Sequence, residues 1–569
     1  MERWVVAAKR ADFQAIGKEF HIDPVIARLI RNRDVTDPKE IREYLYGTLE
    51  ELPSPWLMKD MKKAVSLIEK AIREGEKIRI IGDYDIDGVI STYILLKCLR
   101  RLGAKADTYI PDRVADGYGI RRHLVEKALE DGIQTILTCD NGIAASEEIL
   151  WARQNKMKVV VTDHHEIPFR EEKGERILLL PDADAILNPK QPDCAYPNKN
   201  LCGAAVAYKL VCALYERAGL EAELGDYVEL AAFATVGDVM KLQGENRILV
   251  KEGLKRLAHT KNLGLQALIR ANGLEEASIS AYHVGFVLGP CINASGRLET
   301  AARSLALLDA ADEETAARLA GDLTALNQSR KALTEQGKEE AIRLVETTDL
   351  CKDKVLVIYL PDCHESLAGI IAGRIREKYN KPAFVLTKGE QTAKGSGRSI
   401  EGYSMFEELT GCSGLLEQFG GHPMAAGLSI REENIALFRK KLNENCSLTE
   451  EDFIPKVLID VPMPFSYVTK ELVQQISLLE PFGMGNARPL FAQKEVAVLN
   501  PRIFGKNRNV AKFTLMDGSG NAMDGVYFGE AEEFVRFAGE KGKISIAYHP
   551  EINSYRGREN LQLVLHHYC

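Results

Sequence analysis

Carboxylate and imidazole side chains recur in four short segments of the sequence. The segments are GDYDIDG (82–88), TCDNG (138–142), TDHH (162–165) and TVGD (235–238). Their candidate catalytic groups are Asp83, Asp85, Asp87, Asp140, His164, His165 and Asp238. Oxygen ligands with one or two histidines suit Mn²⁺ or Mg²⁺ better than a thiolate-rich zinc site would. The set is large enough for two ions, and two ions about 3.5–4 Å apart are the usual arrangement for in-line displacement at phosphorus.

The first segment places three aspartates at alternate positions. In an extended stretch, Asp83, Asp85 and Asp87 would point to the same side, and three like charges on one face need a cation to neutralise them. A calcium loop of the EF-hand type is excluded, because the twelfth position counted from Asp83 is Ile94 and not a glutamate,. The spacing therefore favours a shared metal site.

The elements that must position these groups are short apolar runs, each ending in a polar side chain. The runs are KIRIIGD, IQTILTCD, KVVVTDHH and DAILNP, and they alternate with helical stretches. This alternation predicts a mostly parallel sheet covered by helices. Ligands of such sheets bind beyond the carboxyl ends of the strands. Valines 159–161 are thus predicted to form a buried strand, with Asp163, His164 and His165 at its mouth.

The rest of the chain predicts further domains, as expected for 569 residues,. Residues 246–345 are helical in pattern, and Asp312 is the predicted N-cap of a long connecting helix. A second α/β pattern starts near residue 354, and short alternating strands after residue 464 predict a small β-barrel or sandwich. The predicted division is an N-terminal helical segment (1–75), an α/β domain (76–245), a helical region (246–350), a second α/β domain (351–450) and a β domain (453–569).

Composition limits the class of protein. The net charge of −8 alone argues weakly against a nucleic-acid partner, but a carboxylate cluster built for metals distorts that count,. The eleven cysteines are scattered and never spaced C-x-x-C, which favours reduced thiols in a cytoplasm,. No export signal is recognisable at the N-terminus, and no run approaches the roughly 20 apolar residues of a membrane span.

The four acidic segments, in this order, resemble the motifs of the DHH phosphoesterase superfamily. Five more segments resemble its branch of single-strand-specific exonucleases: PDRVADGYG (111–119), INASGRL (292–298), HESLAGIIAGRI (364–375), GSGRS (395–399) and FGGHPMAAG (419–427). The resemblance implies an α/β fold in four parts. They are a parallel-sheet DHH catalytic domain, a helical connector, a smaller α/β DHHA1 domain for substrate binding and a C-terminal β-barrel of the OB-fold type.

The resemblance also implies roles for individual residues. The implied metal ligands are Asp83, Asp85, Asp140, His164 and Asp238, with Asp140 as the bridging carboxylate. His165 would orient or polarise the scissile phosphate. Asp87 has two readings, as a ligand or as the cap of a helix beginning near Gly88. Many relatives have a histidine where this chain has Arg79, which leads us to expect a more loosely held first metal.

Substrate contacts are implied in both α/β domains. The candidate substrate-binding residues are Arg113, Tyr118, Arg297, Ser396, Gly397, Arg398, Gly420, Gly421 and His422. GSGRS would form a phosphate cradle of exposed amides, a hydroxyl and a bidentate cation, although a plain Gly-Ser turn is the alternative. Tyr118 would stack on a base or simply pack. The glycines at 420 and 421 would allow close backbone approach, and His422 would donate to a phosphate or serve structure alone.

In the barrel, two cationic runs with aromatic residues favour single-strand binding over a merely solvated surface. The residues are Lys506, Arg508 and Lys512 beside Phe513, and Tyr555, Arg556 and Arg558.

Together these features predict a cytoplasmic exonuclease that uses two Mn²⁺ or Mg²⁺ ions and degrades single-stranded DNA. By resemblance it works 5′ to 3′, releases mononucleotides and serves recombination and repair. A monomer is expected, with a single-strand-binding protein and a helicase as candidate partners. Two alternatives stay open. One is a DHH phosphodiesterase acting on short oligonucleotides or cyclic dinucleotides, and the other is a catalytically silent binding subunit of the replication machinery.

Overall fold

One short strand and four helices form the start of the chain. The computed structural model describes residues 2–113, 116–117, 119–172, 175–555 and 558–569. The first elements are β1 (Arg3–Val6), α1 (Phe13–Phe20), α2 (Pro24–Asn32), α3 (Pro38–Tyr46) and α4 (Met61–Glu74). Asp12, Asp23 and Asp37 cap α1 to α3, because each side chain accepts a hydrogen bond from a backbone N–H of the first turn,.

A parallel sheet of five strands comes next. Its strands are β2 (Lys77–Ile81), β3 (Lys105–Tyr109), β4 (Thr135–Cys139), β5 (Lys158–Thr162) and, after a separate hairpin of β6 (Phe169–Glu172) and β7 (Glu175–Leu178), β8 (Ala185–Leu187). Every neighbouring pair in the order β3-β2-β4-β5-β8 is parallel. The four strands predicted from apolar runs are therefore confirmed. The edge strand β3, KADTY, escaped prediction because three of its five residues are polar.

The helices around this sheet bring the polar strand ends together. They are α5 (Ile86–Arg101), α6 (Arg122–Glu130), α7 (Ser146–Gln154), α8 (Gly203–Ala218) and α9 (Gly225–Gly237). The next strand after β2, β3, pairs with one edge of β2, and the strand after that, β4, pairs with its other edge. Such a reversal of strand order opens a crevice at the carboxyl ends of the two strands. The residues after β2 and β4 lie at this point.

A helical region follows, as the sequence predicts. Its helices are α10 (Gly244–Leu257), α11 (Leu263–Ala271), α12 (Ala281–His283), α13 (Gly289–Leu298), α14 (Ala302–Leu308) and α15 (Glu313–Thr347). Asp312 caps α15 as predicted, since its Oδ1 accepts the Thr315 N–H at 2.8 Å. Between α12 and α13 the backbone forms a π-helical segment, Val284–Leu288.

The second α/β part has a mixed sheet of five strands. Its elements are β9 (Leu356–Tyr359), α16 (Ala368–Tyr379), β10 (Ala383–Thr387), β11 (Ala393–Arg398), α17 (Met405–Gly411), β12 (Leu416–His422), β13 (Ala425–Ile430) and α18 (Ile435–Asn445). The strand order is β12-β13-β11-β10-β9, and only β9 and β10 run parallel. β11, which carries GSGRS, is therefore paired along both edges.

A closed barrel ends the chain. The elements are β14 (Lys456–Ile459), β15 (Val461–Pro462), α19 (Lys470–Ile476), β16 (Phe491–Phe504), β17 (Val510–Met516), β18 (Ala522–Phe528), α20 (Ala531–Lys541), β19 (Ile544–Tyr555) and β20 (Arg558–Tyr568). Strands β16, β17, β18, β20 and β19 pair in that order, and β19 pairs again with β16. This pairing closes a barrel of five strands, which confirms the OB-type prediction.

The chain divides into two compact units. One joins the residues up to Val5 with Ala325–Leu458, and the other joins Val6–Thr324 with Ile459–Cys569. In the second unit, α1 to α3 share one apolar core with the barrel. Within the described residues, none of the helices combines the length and the apolar character that crossing a membrane demands.

Candidate metal centre

The carboxyl ends of three neighbouring strands bring the acidic segments together. Asp83 and Asp85 follow β2, Asp140 follows β4, and His164 follows β5, while Asp238 lies at the end of α9. Ligand atoms lie within 4.8 Å of one another in three groups: Asp83, Asp85 and Asp140; Asp87, His164 and Asp238; and Asp140, His164 and His165. Asp140 belongs to two of the groups and therefore lies between the pair Asp83 and Asp85 and the two histidines.

The backbone at Asp140 is held in an uncommon conformation. Its φ is +58°, in the left-handed region that few non-glycine residues adopt,. Its side chain is buried, and Oδ1 lies 3.1 Å from Nε2 of His164. A separation near 3 Å fits two ligands of one small cation bound at about 2.1 Å. The conformation thus aims the Asp140 carboxylate at the histidine rather than at solvent.

The GDYDIDG segment does not continue the strand, so the prediction that its three aspartates alternate as in a strand is wrong, although all three reach the ligand groups around Asp140 and His164. The strand β2 ends at Ile81, and the backbone turns into α5 directly after Asp85. Asp85 is the N-cap of α5, with Oδ1 accepting the Asp87 and Gly88 N–H groups at 3.0 and 3.1 Å. The helix therefore sets the directions of Asp85 and Asp87, and the period of a strand does not apply.

Asp87 caps a helix, but not the one expected. Its two oxygens accept the backbone N–H groups of Gly203 and Ala204, at 2.6 and 2.8 Å, where α8 begins. The alternative that Asp87 caps the helix near Gly88 is wrong, because Asp85 does so. Oδ2 of Asp87 also lies 3.6 Å from Nε2 of His164. Asp87 therefore anchors α8 against the cluster while staying within reach of it.

The two histidines differ in their surroundings. His164 is buried, and burial lowers its pKa, which keeps the imidazole neutral and able to bind a metal,. His165 is half-exposed, and its Nδ1 lies 2.8 Å from Oδ1 of Asp163. Burial alone lowers the pKa of His165, but the hydrogen bond to Asp163 and its charge outweigh burial and raise the pKa to about 9. The Asp163 carboxylate therefore favours the protonated form of His165.

The carboxylates of the cluster resist ionisation while no cation lies beside them. Burial, and after it Asp85, raises the pKa of Asp83 to about 8. Burial, followed by Asp87 and Asp85, raises the pKa of Asp238 to about 8. Among the described residues, Oδ1 of Asp83 and Oδ1 of Asp140 are buried without a hydrogen bond. Buried, mutually repelling oxygens that lack donors fit a divalent cation, since the ion supplies the missing charge.

Arg79, at the position of the family histidine, lies in a different environment. Its guanidinium donates hydrogen bonds to Asp107 at 2.7 and 2.9 Å and to Asp131 at 2.9 Å. The pKa of Arg79 is raised chiefly by the hydrogen bond to Asp107. Arg79 thus joins β2 to its neighbours and gives no ligand to the cluster.

Two of the predicted substrate-binding arginines lie beside the GDYDIDG segment. The Arg113 guanidinium stands over the Tyr84 ring, 4.8 Å from its centroid. Arg297 is in the last turn of α13, whose Asn293 accepts the Ile86 N–H at 2.8 Å. The INASGRL helix is therefore docked on the GDYDIDG segment. Tyr118 lies outside the described residues.

In the other unit, Ser396, Gly397 and Arg398 lie within β11. The prediction of exposed amides at GSGRS is wrong, because β10 and β13 pair with both edges of this strand. Gly397 is needed for packing, since a Cβ there would lie 2.5 Å from the Phe384 ring. Nη1 of Arg398 donates to Ser396 Oγ at 3.0 Å and to the Gly397 carbonyl at 2.8 Å. The hydroxyl and the guanidinium form a pair at the start of α16, where a Cβ on Gly369 would lie 2.8 Å from Nη2 of Arg398.

The GGH element lies at the end of β12. Gly421 has φ +144°, and a Cβ there would lie 2.4 Å from the Ala425 carbonyl oxygen. The hairpin of β12 with β13 therefore requires a glycine at position 421. Around Gly420 an added Cβ would meet open space, and His422 is exposed. Gly420 and His422 keep a free approach from solvent.

The barrel presents its predicted cations but not its predicted aromatic platform. Lys506, Arg508 and Lys512 are exposed, and Arg508 pairs with Glu532. Phe513 is 5% exposed and belongs to the barrel core, so its predicted role in stacking is wrong. Strand alternation explains the difference, because Lys512 and Phe513 point to opposite faces. Arg556 and the side chains of Tyr555 and Arg558 lie outside the described residues.

Two further residues support the site and were given no role from the sequence. Asp163 is buried and accepts hydrogen bonds from the backbone of Ile143, His164 and His165 as well as from the His165 ring. Gly203 faces Asp140 so closely that a Cβ would lie 2.7 Å from the Asp140 Cβ. The sequence places Asp163 in the TDHH segment at the end of a predicted strand. Only the fold shows that Asp163 orients the His165 ring.

Three family models match the chain in succession. The DHH family N-terminal domain matches residues 77–235, the DHHA1 domain matches 352–448, and the RecJ OB domain matches 459–567. The single-stranded-DNA-specific exonuclease RecJ of Bacillus subtilis is 37% identical over 99% of this chain and 70% of its own length. RecJ of Escherichia coli is 34% identical over 96% of this chain and 95% of its own length. This chain belongs to the RecJ family.

A crystal structure of Thermus thermophilus RecJ in complex with Mn²⁺ matches the whole chain and 79% of that protein, with a TM-score of 0.84 and 29% identity. A second structure of the same RecJ, in complex with Mg²⁺, matches with a TM-score of 0.78.

The close approach of Gly203 to Asp140 gives a first prediction. Gly203→Ala should lower exonuclease activity by about 10- to 100-fold, because a displacement of roughly 1 Å at a reacting group costs on that order. Steady-state cleavage of a single-stranded oligonucleotide measures the effect. Gly321→Ala is the matched control, since that glycine lies in the interior of α15 and an added Cβ meets open space. Equal activities of the two variants would contradict the prediction.

Proposed function

We propose that this RecJ-family chain is a metal-dependent exonuclease that hydrolyses single-stranded DNA from the 5′ end to mononucleotides in recombination and repair. The observation that carries the proposal is the convergence of Asp83, Asp85, Asp140, His164 and Asp238 on one largely buried cluster, whose closely spaced ligand atoms suit divalent cations,. The three family domains around that cluster support a polymeric substrate.

Asp83, Asp85, Asp140, His164 and Asp238 would hold two divalent cations, Mn²⁺ or Mg²⁺, with Asp140 between them. Divalent cations, when bound, supply Lewis-acid stabilisation of negative charge at phosphorus. The neutral His164 offers a nitrogen lone pair, and the protonated His165 offers a positive charge and a proton to a phosphate oxygen. Asp163 raises the pKa of His165, which favours its charged form, and fixes the direction of its ring.

Anchoring of the terminal phosphate would set the direction of degradation. Ser396 and Arg398 are suited to it, because the Arg398 guanidinium has no carboxylate partner among the described residues, while burial, followed by Arg376, lowers its pKa. A bound phosphate dianion would relieve both effects. Arg113 and Arg297, in the unit that holds the metal centre, would contact the neighbouring backbone. Gly397 supports this pair by packing, and Gly420, Gly421 and His422 would contact the nucleotide from the second sheet.

The two alternatives receive less support. A phosphodiesterase for short oligonucleotides or cyclic dinucleotides has no evident need for the barrel of residues 459–567 and its exposed cations. A silent binding subunit has no need for five clustered ligand-type side chains, of which the buried Asp83, Asp140 and His164 lack the solvation that a charged form needs,.

We further infer that the chain works as a monomer in the cytoplasm, where its DNA substrate would be. A single-strand-specific nuclease depends on unwound DNA, so a helicase and a single-strand-binding protein are its expected partners.

The proposal predicts stepwise shortening of a 5′-phosphorylated, 3′-labelled single strand in Mn²⁺, with mononucleotides as product. EDTA should stop the reaction, and a blunt duplex of the same sequence should be cut at least about 10 times more slowly, since its bases are paired and stacked. Gel electrophoresis of timed samples measures the cleavage rates of the single strand and of the duplex. Shortening from the 3′ end would overturn the proposed polarity, and equal rates on duplex and single strand would overturn the strand selectivity.

A further inference from the structure

One residue of the INASGRL segment, Asn293, contacts the GDYDIDG segment and has no role in the function proposed above. Asn293 lies in α13, and its Oδ1 accepts the Ile86 N–H at 2.8 Å. Ile86 is the first residue of α5 and follows Asp85 directly. Asn293 is half-buried, and both partners belong to the same compact unit. The hydrogen bond therefore joins two distant parts of the chain at a residue adjacent to a candidate metal ligand.

The first turn of α5 determines the direction of the Asp85 carboxylate. The first N–H groups of a helix have no acceptor within the helix. Asp85 Oδ1 accepts those of Asp87 and Gly88 at 3.0 and 3.1 Å, and Asn293 accepts that of Ile86. The short side chain of Asp85 thus caps the helix and also belongs to a ligand group. A shift of the first turn would move this carboxylate relative to the rest of its ligand group.

A second contact of α13 lies on the other side of Asp85. Gly296 packs against Tyr84 so closely that a Cβ there would lie 2.2 Å from the Tyr84 carbonyl oxygen. Tyr84 precedes Asp85 and Ile86 follows it. The helix α13 therefore holds the backbone on both sides of this aspartate. The contact at Asn293 is the directional one of the two, since a hydrogen bond weakens steeply when its donor and acceptor are misaligned.

The Ile86 side chain extends the contact to another segment with a candidate ligand. It lies between the start of α13 and the end of α9. A Cβ on Gly289 would lie 3.0 Å from Cδ1 of Ile86, and a Cβ on Gly237 would lie 2.5 Å from it. Gly237 directly precedes Asp238. A displacement of Ile86 would therefore reach Asp238 as well, because closely packed groups leave no space to absorb it.

We propose that Asn293 is a positioning residue, which holds Asp85 and, through Ile86, the end of α9 in the geometry that divalent cations require. The inference rests on the proposed function, because it assigns Asn293 to the metal ions of that reaction. Asn293 acts through the backbone of α5 and contacts neither the ions nor the DNA. Groups that orient metal ligands in this way typically contribute about 10- to 100-fold to metal affinity or activity.

Mn²⁺ binding in the absence of DNA tests this role directly. The metal-free full-length protein is titrated with Mn²⁺, and the free ion is measured by electron paramagnetic resonance. Asn293→Ala removes the acceptor and should weaken Mn²⁺ affinity by about 10- to 100-fold. Alanine favours a helix, so α13 should still form. Asn293→Asp keeps an acceptor oxygen at the same position and should recover most of the lost affinity.

Cleavage kinetics distinguish a positioning role from a displaced helix. For Asn293→Ala, kcat on a 5′-phosphorylated 20-mer should fall at low Mn²⁺ and partly recover at high Mn²⁺, while KM should stay within about twofold of the wild type. A displacement of α13 would instead raise KM, because Arg297 on the same helix is a proposed substrate contact. An increase in KM at an unchanged Mn²⁺ affinity would thus contradict the positioning role.

Asn262→Ala is the matched control. Asn262 is also half-buried, and its Oδ1 accepts the Leu265 N–H at 2.9 Å in the first turn of α11. It belongs to none of the ligand groups, so its variant should lose thermal stability and keep the wild-type Mn²⁺ affinity.

Three results would overturn the inference. They are a wild-type Mn²⁺ affinity in Asn293→Ala, an equal loss of affinity in Asn262→Ala, and a loss that Asn293→Asp does not reverse. A wild-type protein that binds Mn²⁺ but does not degrade the 20-mer would instead overturn the proposed function. The Mn²⁺ affinities of the variants would still decide the role of Asn293 in that case.

Discussion

Asp140→Asn is expected to abolish exonuclease activity, with a loss of about 10³-fold or more, and to leave single-strand affinity in EDTA unchanged. The physical reason is the central position of Asp140, which lies in ligand range of Asp83 and Asp85 on one side and of the histidines on the other. An amide would not supply the negative charge with which Asp140 would hold divalent cations, and such cations, when bound, would stabilise charge in the transition state. Cleavage of a labelled strand in Mn²⁺ measures the loss.

Asp140→Asn should lower activity but raise the stability of the metal-free protein. Asparagine tolerates the left-handed φ of +58° at this position, so the backbone is undisturbed,. Burial and the neighbouring carboxylates raise the pKa of Asp140 well above its usual value, so the ionised side chain opposes folding in the absence of metal,. The metal-free variant should therefore melt at a higher temperature than the metal-free wild type. The stabilisation that Mn²⁺ gives the wild type should be mostly lost.

Asp193→Asn is the matched control for these measurements. Asp193 also has a φ of +58°, but it is exposed and belongs to none of the ligand groups. Its variant should keep wild-type activity and the wild-type response to Mn²⁺. If Asp140→Asn retained more than about a tenth of the activity, which is a loss of less than 1.4 kcal/mol in transition-state binding, Asp140 would not lie between the cations.

The strands that hold the metal centre could be predicted from the sequence because their signal is local. In β2, β4 and β5 nearly every side chain is buried, so each strand is a continuous apolar run that ends at a polar residue,. The convergence of their ends follows from the rule for parallel sheets. The candidate ligands Asp83, Asp140 and His164 could therefore be placed at one rim of the sheet.

The features that escaped prediction depend on partners distant in the chain. The aspartates of GDYDIDG alternate as in a strand, but Asp85 caps α5 and Asp87 holds α8, whose first residue is more than a hundred positions away. GSGRS has the composition of a turn, yet its glycines are needed because Phe384 and Leu386 of the next strand fill the space of a Cβ. Composition indicates only the local conformational preference of a segment. In GDYDIDG and GSGRS, contacts with residues distant in the chain determine the conformation.

Arg247→Met should lower the free energy of unfolding of its unit by about 1–3 kcal/mol, the usual cost of leaving a buried hydrogen-bond acceptor without its donor. Arg247 is 1% exposed, and its guanidinium donates to the carbonyls of Tyr44, Leu478 and Leu479 at 2.8–2.9 Å. It also lies 3.9 Å from the centroid of the Tyr44 ring. It thus joins α10, the end of α3 and the segment before the barrel. Methionine keeps the volume but leaves the carbonyls without donors.

Urea unfolding followed by tryptophan fluorescence measures this loss, and limited proteolysis should show faster cleavage within residues 477–490. Arg256→Met is the matched control, because Arg256 lies on the same helix and is exposed. Arg247→Lys should fall between the two variants, since a lysine can donate to some of the carbonyls but lacks the planar fork. An Arg247→Met midpoint equal to that of the control would show that solvent or a rearranged backbone satisfies these carbonyls. The contact would then fix the position of the barrel segment without stabilising it.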